Sequence, residues 1–345
     1  MNKKRIGIIG ATGYTGSELA RILIYHPEAE ITAITSESRS GEAFSDVHPF
    51  FKGICDHRLI SIEEIDEFEL DLVFLALPHG VSMDMVKRFK DRSFKIVDLS
   101  GDFRLSSSEV YEDWYQIKHV YPEGFDEAVF GLPELYADQV KDARLIANPG
   151  CYPTGAILGV VPLLAEGMIE TEPIVIDSKS GVTGAGVKAK PVTHFPNVSD
   201  NFKAYNLKHH RHTIEIQGIL ERVSEKATLV QFSPHLLPVD RGILSTIYAR
   251  PTGSVDEDSL NELYQKFYEH SPFVRMRKDP PALKDVRGTN YCDIHVTFDN
   301  RTKMIIIVSV IDNLVKGAAG QAVQNMNIMF GFDQTAGLQQ VPVNP

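Results

Sequence analysis

Residues 5–16 read RIGIIGATGYTG, and this stretch decides the fold of the amino-terminal half. A short apolar run ends at Gly10, and a helical pattern follows from Ser17. Gly10, Gly13 and Gly16 have the spacing G-x-x-G-x-x-G rather than the commoner G-x-G-x-x-G, but strand, glycine turn and helix come in the required order. Glycines let the backbone approach a pyrophosphate, whose charge the amides of the helix N-terminus stabilise. The stretch predicts a dinucleotide-binding turn, with a tight turn that binds no ligand as the alternative.

Further apolar runs predict the rest of the first sheet. Residues 30–35, 70–77 and 94–99 are strand-like and alternate with helical or loop stretches, which is typical of a parallel sheet with crossover helices. After residue 150 the pattern changes to strand-like segments with few helices between them; they are 173–178, 227–233, 242–249, 291–298 and 304–311. We therefore expect an α/β protein with an N-terminal Rossmann-type doubly wound parallel sheet, followed by an α+β catalytic domain with a mainly antiparallel sheet.

The predicted domain boundaries follow from this change. The dinucleotide-binding domain is expected at 1–149 and is completed by a C-terminal helix within about 314–345, after which 331–345 would be a loose surface tail. The catalytic and oligomerisation domain is expected at 150–313. A second amphipathic helix is predicted at 255–270, where apolar side chains recur at helical spacing.

Composition excludes several function classes. The chain has 345 residues and a formal net charge of -11, which disfavours nucleic acid as a partner because a phosphate backbone needs a basic surface. The three cysteines show no paired spacing, so neither a disulfide framework nor a metal site is expected. No apolar stretch approaches the length of a membrane span. We expect a cytoplasmic protein that acts on a small molecule.

One cysteine lies where the backbone would make its sulfur reactive. Asn148-Pro149-Gly150 is turn chemistry, and a mostly apolar helix is predicted at 154–165, so Cys151 is expected at a helix start. Amide groups and the positive end of the helix dipole favour thiolate over thiol there, and the thiolate is the nucleophilic form. The alternative is a buried cysteine that only packs, as we expect for Cys55 and Cys292.

The end of the second predicted strand indicates the type of dinucleotide. Residues 35–40 offer hydroxyl groups and an arginine, which suit a 2′-phosphate, so NADP is favoured, while Glu37 leaves NAD open. Ligands of open parallel sheets bind beyond the carboxyl ends of the strands, which adds the loop at 76–80. The predicted cofactor-binding residues of this half are Gly10, Thr12, Gly13, Tyr14, Thr15, Gly16, Ser36, Ser38, Arg39, Leu77 and Pro78.

Candidates for acid–base and anion-binding roles lie elsewhere. His209, His210 and His212 cluster, and histidine can take a thiol proton near neutral pH, with a metal site as the less favoured interpretation. Arg104 could hold a phosphate in a bidentate geometry or pair with Asp102, and the local sequence leaves both open. The glycine-rich loop at 179–186 could approach a ligand closely or simply turn.

These residues together resemble the N-acetyl-gamma-glutamyl-phosphate reductase family, which is related to aspartate-semialdehyde dehydrogenase. The resemblance runs end to end, and the cysteine segment is its most specific part. It is carried by the stretches GATGYTG (10–16), ALPHG (76–80), DLSGDFR (98–104), NPGCYPT (148–154), SGVTGAG (180–186), HRHT (210–213) and 313–320. Gly101 departs from the alanine that the family commonly has, and the acidic stretch after HRHT is reduced to Glu215.

The resemblance implies a reaction and roles. N-acetyl-L-glutamyl 5-phosphate would be reduced by NADPH through a thioester on Cys151, in L-arginine biosynthesis, with His212 as the acid–base residue; the choice between His210 and His212 stays open. The implied substrate-binding residues are Arg104, His210, Arg211, Ser180 and Glu215, and Gly184 and Asn313 would join the cofactor site. A homo-oligomer, dimer or tetramer, is implied too. The alternatives are a related reductase acting on N-acetyl-aminoadipyl or aspartyl phosphate, and a non-catalytic NADP-binding redox sensor.

Overall fold

The computed structural model describes residues 3–344. Residues 1 and 2 of the predicted range 1–149 and residue 345 of the predicted range 314–345 lie outside the described part. The chain forms two compact units. The first contains the described residues up to Pro149 together with Ala318–Gln339, and the second contains Gly150–Gly317 together with the residues that follow Gln339.

The first unit is built on a six-stranded parallel sheet in the order β2-β1-β3-β4-β6-β5. Its elements in chain order are β1 (Lys4–Ile9), α1 (Tyr14–Leu23), β2 (Ala29–Thr35), α2 (Phe44–Val47), β3 (Leu72–Leu75), α3 (Ser82–Arg88), β4 (Lys95–Asp98), α4 (Ser108–Tyr115), α5 (Gly124–Glu127), β5 (Ala128–Phe130), α6 (Pro133–Asp142) and β6 (Leu145–Ala147). The four residues of β3 are all buried, as expected for a strand covered on both faces. The predicted Rossmann-type parallel sheet is confirmed.

The glycine turn after β1 depends on the missing side chains. Gly10 has φ +85°, and a Cβ there would lie 2.6 Å from the carbonyl oxygen of Ala76. A Cβ on Gly16 would lie 2.6 Å from the Cα of Ala11. Helix α1 therefore starts directly against the end of β1, at Tyr14 rather than at the predicted Ser17.

The second unit holds a seven-stranded mixed sheet in the order β11-β12-β13-β10-β7-β9-β8. Its elements are α7 (Cys151–Ala165), β7 (Ile174–Ser180), α8 (Phe195–Val198), β8 (Lys203–Ala204), α9 (His212–Ser224), β9 (Val230–Leu236), β10 (Ile243–Ala249), α10 (Glu257–Phe267), β11 (Val274–Met276), β12 (Cys292–Asp299) and β13 (Met304–Ile311). Two of the six strand pairings are parallel, β11 with β12 and β7 with β9, and the other four are antiparallel. The expected mainly antiparallel sheet is confirmed, and α7 packs on β10, β13 and α9.

Helix α7 is apolar on all sides and contains a proline. Pro162 has no N–H, so the carbonyl of Leu158 loses its partner in the helix. The hydroxyl of Tyr268 donates to that carbonyl, and the hydroxyl of Tyr264 donates to the next one, at Gly159. Side chains from α10 and its C-terminal end thus replace the hydrogen bonding that the proline removes.

The last part of the chain differs from the prediction at both ends. A π-turn at Val315–Ala319 precedes α11 (Gly320–Phe330), and the chain rejoins the first unit at Ala318, later than the predicted residue 314. The expected loose surface tail is wrong at Leu338, which is fully buried. Residues 340–344 belong to the second unit, where the Val343 N–H donates to the carbonyl of Arg287.

Candidate active site

Cys151 is the first residue of α7, and Gly150 is its N-cap. The carbonyl of Gly150 accepts from both the backbone N–H and the hydroxyl of Thr154, at 3.0 and 2.9 Å. The cysteine is partly exposed, whereas Cys55 and Cys292 are buried packing residues. The predicted position of Cys151 at a helix start is confirmed, and the helix dipole there favours a thiolate.

The buried carboxylate of Glu215 hydrogen-bonds to the turn that precedes Cys151. Glu215 is 2 % exposed, and its Oε1 accepts from the Gly150 N–H at 2.7 Å. Its Oε2 lies 4.0 Å from Nε2 of His212, the first residue of α9. The carboxylate therefore faces the turn of Gly150 and Cys151 as well as His212, and the substrate contact of Glu215 stays a prediction.

His210 is enclosed by aromatic rings. The ring centroids of Tyr152, Tyr205 and Phe232 lie 5.4 to 5.5 Å from that of His210, and those of Tyr152 and Phe232 are 5.3 Å apart. Burial lowers the pKa of His210 to about 4. Nδ1 of His210 accepts from the His212 N–H at 3.2 Å, so the proton of the neutral ring is on Nε2, which lies 3.4 Å from the Tyr205 hydroxyl. At neutral pH His210 is therefore uncharged.

Two tyrosines near the cysteine were missed at the level of sequence. The hydroxyls of Tyr152 and Tyr205 are 3.0 Å apart, and Tyr152 donates to the carbonyl of His235 at 3.2 Å. Burial is the main cause that raises the pKa of both phenols, and the negative charge of Cys151 raises it further. The pKa of Tyr205 is raised to about 12. Tyr152 follows the cysteine directly in sequence, but no local pattern marks Tyr205.

The remaining predicted residues of the second unit lie around the end of β7. Ser180 is 3 % exposed and donates to the carbonyl of Gly181, while Gly184 is exposed. A Cβ on Gly184 would lie 3.4 Å from the Ser180 hydroxyl and 3.8 Å from Nδ2 of Asn313. The Asn313 amide accepts from Gly242 N–H at 2.8 Å and donates to the Thr183 hydroxyl at 3.0 Å. Asn313 thus joins two loops, a structural task that its predicted cofactor role did not include.

Arg211 is exposed directly before α9, at the N-cap of that helix. His209 is exposed as well, as expected for a loop histidine. The HRHT segment therefore presents one exposed arginine, one enclosed neutral histidine and one half-buried histidine, His212. Of the three candidate histidines, His212 lies beside the carboxylate that holds the cysteine turn.

In the first unit, the predicted cofactor residues surround the carboxyl ends of β1, β2 and β3. Gly13 is the N-cap of α1, Tyr14 and Thr15 lie in its first turn, and the hydroxyls of Thr12 and the buried Ser36 are 3.3 Å apart. The exposed Ser38 and Arg39 follow β2, and Leu77 and the exposed Pro78 follow β3.

The charges of the loop after β2 favour a 2′-phosphate. Glu37, which left NAD open, accepts from the Ile62 N–H at 2.9 Å. The exposed Arg39 forms a surface ion pair with Glu42, which is weak and can exchange for a ligand. At Gly13 a Cβ would have the Gly10 carbonyl oxygen as its nearest neighbour, at 3.9 Å, so the backbone of the turn is open to a dinucleotide there and the residues present fit this group.

The guanidinium of Arg104 has backbone carbonyl groups as partners. Arg104 is 7 % exposed, and its Nε and Nη2 donate to the carbonyls of Asn148 and Leu99 at 2.6 and 2.7 Å. Asp102 instead accepts from Gly80, Met83 and Tyr111. Two donors of the guanidinium thus hold the backbone just before the cysteine turn, and the phosphate contact of Arg104 stays a prediction.

Gly101 has a packing reason in this chain. A Cβ there would lie 2.0 Å from the hydroxyl of Tyr115. The ring of Tyr115 stacks on Tyr111 at 4.4 Å and meets His79 edge-on at 5.3 Å. The tyrosine takes the space that the family's common alanine would need.

Two features are absent from the described residues. Within 3–344, no three histidine, cysteine or acidic side chains are grouped so that they could hold a metal ion. No helix in the part of the chain that the structure describes is long and apolar enough to cross a membrane.

Comparison with known proteins gives consistent matches. Residues 5–143 match the family described as semialdehyde dehydrogenase, NAD binding domain, and residues 151–313 match semialdehyde dehydrogenase, dimerisation domain. The chain is 46 % identical to the N-acetyl-gamma-glutamyl-phosphate reductase of Alkaliphilus metalliredigens and 49 % identical to that of Desulfotalea psychrophila, each over 99 % of both chains.

Solved structures share the fold at lower identity. Aspartate semialdehyde dehydrogenase II of Vibrio cholerae, complexed with ASA, matches with a TM-score of 0.73 and 15 % identity over 96 % of this chain and 99 % of that one. Aspartate semialdehyde dehydrogenase of Candida albicans, solved with NADP, matches with a TM-score of 0.72 and 17 % identity over 95 % and 99 %.

Proposed function

Because the chain belongs to the N-acetyl-gamma-glutamyl-phosphate reductase family of semialdehyde dehydrogenases and is an NADP-dependent oxidoreductase, we propose that it reduces N-acetyl-L-glutamyl 5-phosphate to N-acetyl-L-glutamate 5-semialdehyde with release of phosphate, as a step of L-arginine biosynthesis. The observation that carries this proposal is Cys151 at the start of α7, with Glu215 bound to the preceding N–H and His212 beside that carboxylate.

The first step uses the thiolate of Cys151. Its sulfur attacks the acyl phosphate carbonyl, a C–S bond forms, and the C–O bond to phosphate breaks, with the electron pair leaving on phosphate. The product is a thioester on Cys151. The helix N-terminus supports the negative charge of the attacking sulfur.

The second step returns the enzyme to its starting state. NADPH, when bound, supplies the hydride that reduces the thioester carbonyl to a thiohemiacetal. We assign the residues of the glycine turn, Ser36, Ser38, Arg39, Leu77 and Pro78 to holding this cofactor, and Gly184 and Asn313 remain proposed members of its site. When the C–S bond then breaks, the aldehyde leaves and Cys151 regains its thiolate.

We assign the proton transfers to His212 rather than His210. His210 is a poor acid–base group, because burial keeps its pKa far below neutral. Nε2 of His212 lies 4.0 Å from the Glu215 carboxylate, which also hydrogen-bonds to the turn before Cys151. In this scheme His212 takes the thiol proton and later gives a proton to the oxyanion, while Arg211, Ser180 and His210 line the substrate and Arg104 positions the backbone of Asn148.

Conversion of each semialdehyde plus phosphate, followed as NADPH formation, tests the proposal. N-acetylglutamate semialdehyde should be preferred over aspartate semialdehyde and the N-acetyl-aminoadipate analogue, and preference for either of the others would reject this substrate. Cys151→Ser should lose nearly all turnover, because a hydroxyl is a far weaker nucleophile than a thiolate. Unchanged activity in that variant, or no turnover by the wild type, would favour the redox-sensor alternative.

The assembly proposed for the protein is a homo-oligomer, supported by the dimerisation domain that residues 151–313 match. Size-exclusion chromatography with light scattering measures it directly. A cytoplasmic location stays a prediction from the sequence.

A further inference from the structure

The backbone of Gly317 lies against the nucleophile. A Cβ built on Gly317 would be 2.8 Å from the Cβ of Cys151 and 3.1 Å from its Cα. Carbon atoms do not approach to 2.8 Å without a shift of one partner, and here both partners are close to backbone. Only glycine therefore fits at this position while Cys151 keeps its place.

The turn that carries Gly317 is shaped by Asp312, at the end of β13. Asp312 is fully buried, and its Oδ1 accepts from the N–H groups of Leu314 and Val315 at 2.9 and 3.2 Å. Its carbonyl accepts from the Gly317 N–H at 3.0 Å, which is the i to i+5 bond of a π-turn. One residue thus fixes both the start and the close of the turn.

The second carboxylate oxygen of Asp312 connects this turn to two other segments. Oδ2 accepts from the Gly288 N–H at 2.7 Å and from Nη1 of Arg241 at 3.3 Å. The buried charge is therefore paired and hydrogen-bonded, as a buried carboxylate requires. Removing a carboxylate from water costs free energy, which the ion pair and hydrogen bonds of Asp312 offset only in a well-defined geometry.

We propose that Asp312 is a positioning residue for Cys151, which acts through the π-turn and Gly317. The proposal rests on the proposed role of Cys151 as the nucleophile. The Gly317 backbone occupies one side of the Cα–Cβ bond of Cys151, which reduces the directions open to Sγ and holds the sulfur at the start of α7. Neither Asp312 nor Gly317 touches the reacting atoms.

Gly317→Ala tests the contact, with Gly218→Ala in α9 as the matched control, because a Cβ at Gly218 has no atom within 4 Å. The rate constant for alkylation of Cys151 by iodoacetamide, followed across pH by mass spectrometry of its peptide, needs no substrate. Gly317→Ala should change this rate constant at least threefold and lower kcat about tenfold, with KM for NADPH within twofold. Values equal to those of Gly218→Ala would overturn the proposal.

Asp312→Asn tests the turn, with Asp293→Asn as its control. Asp293 is also fully buried and is paired with Arg275 and Arg277. Both variants should lose stability, but only Asp312→Asn should change the alkylation profile of Cys151, and equal profiles would count against a positioning role. If Cys151→Ser retains turnover, the proposed function fails, while the alkylation data still decide whether Asp312 positions this sulfur.

Discussion

The enclosed histidine provides a quantitative test of the site. The pKa of His210 is lowered from 6.5 to about 4, mainly by burial. Because the folded state binds fewer protons than the unfolded state between these values, stability is unaffected above pH 6.5 and falls as the pH drops toward 4. At about 1.4 kcal/mol per unit, the full effect is about 3 kcal/mol, of which about 2 kcal/mol is lost between pH 7 and pH 5.

The assay compares the urea unfolding of wild type and His210→Gln at these two pH values by circular dichroism. The wild type should lose about 2 kcal/mol more than His210→Gln, since the other titrating groups are common to both proteins. His209→Gln, at the exposed neighbour, should keep the wild-type pH dependence. The reasoning is refuted if His210→Gln and wild type lose the same free energy, or if NMR shows the His210 ring titrating near pH 6.5.

Three further changes have defined outcomes. Tyr268→Phe leaves the Leu158 carbonyl buried without the hydroxyl that replaces its helix partner, and should cost about 1–3 kcal/mol in thermal unfolding experiments, with kcat retained at low temperature; an unchanged Tm contradicts this. Gly101→Ala brings a methyl group into a tyrosine hydroxyl and should cost more than about 2 kcal/mol, so wild-type stability would show that the loop can relax. Glu215→Gln removes the charge beside His212 while it can still accept from the turn; it should lower kcat with little change in stability, and equal activity at all pH values would exclude an electrostatic role for Glu215.

The sequence could predict the elements whose signal is local. Buried parallel strands are continuous apolar runs, so the sequence predicts β1 to β4, whereas the three-residue strands β5 and β6 are too short for such a signal. The start of α1 was placed three residues too late, because Gly16 in its first turn is a poor helix former that is required there by packing against Ala11. The π-turn could not be predicted, since Asp312 forms it with help from Gly288 and Arg241, both far away in sequence.

The same distinction separates the site residues. Asn-Pro-Gly before Cys151 is a local signal, and it gave the helix start correctly. Arg104 reaches the Asn148 carbonyl across 44 positions of sequence, so this contact could not be predicted from local sequence. Tyr205 likewise becomes part of the site only because a hydroxyl on another segment, that of Tyr152, meets it.

The return of α11 to the first unit sets the order in which this protein can mature during synthesis. Asn325 of that helix donates to the carbonyl of Gly131 at 2.8 Å, and Asn327 lies 3.0 Å from the His26 ring nitrogen. His26 and Gly131 thus receive hydrogen-bond partners from a helix that is synthesised after residues 150–317. Although domains usually fold in the order of their synthesis, the Rossmann unit here is completed only after residues 150–317 of the second unit have been made, and expressing 1–149 alone would leave it unfinished.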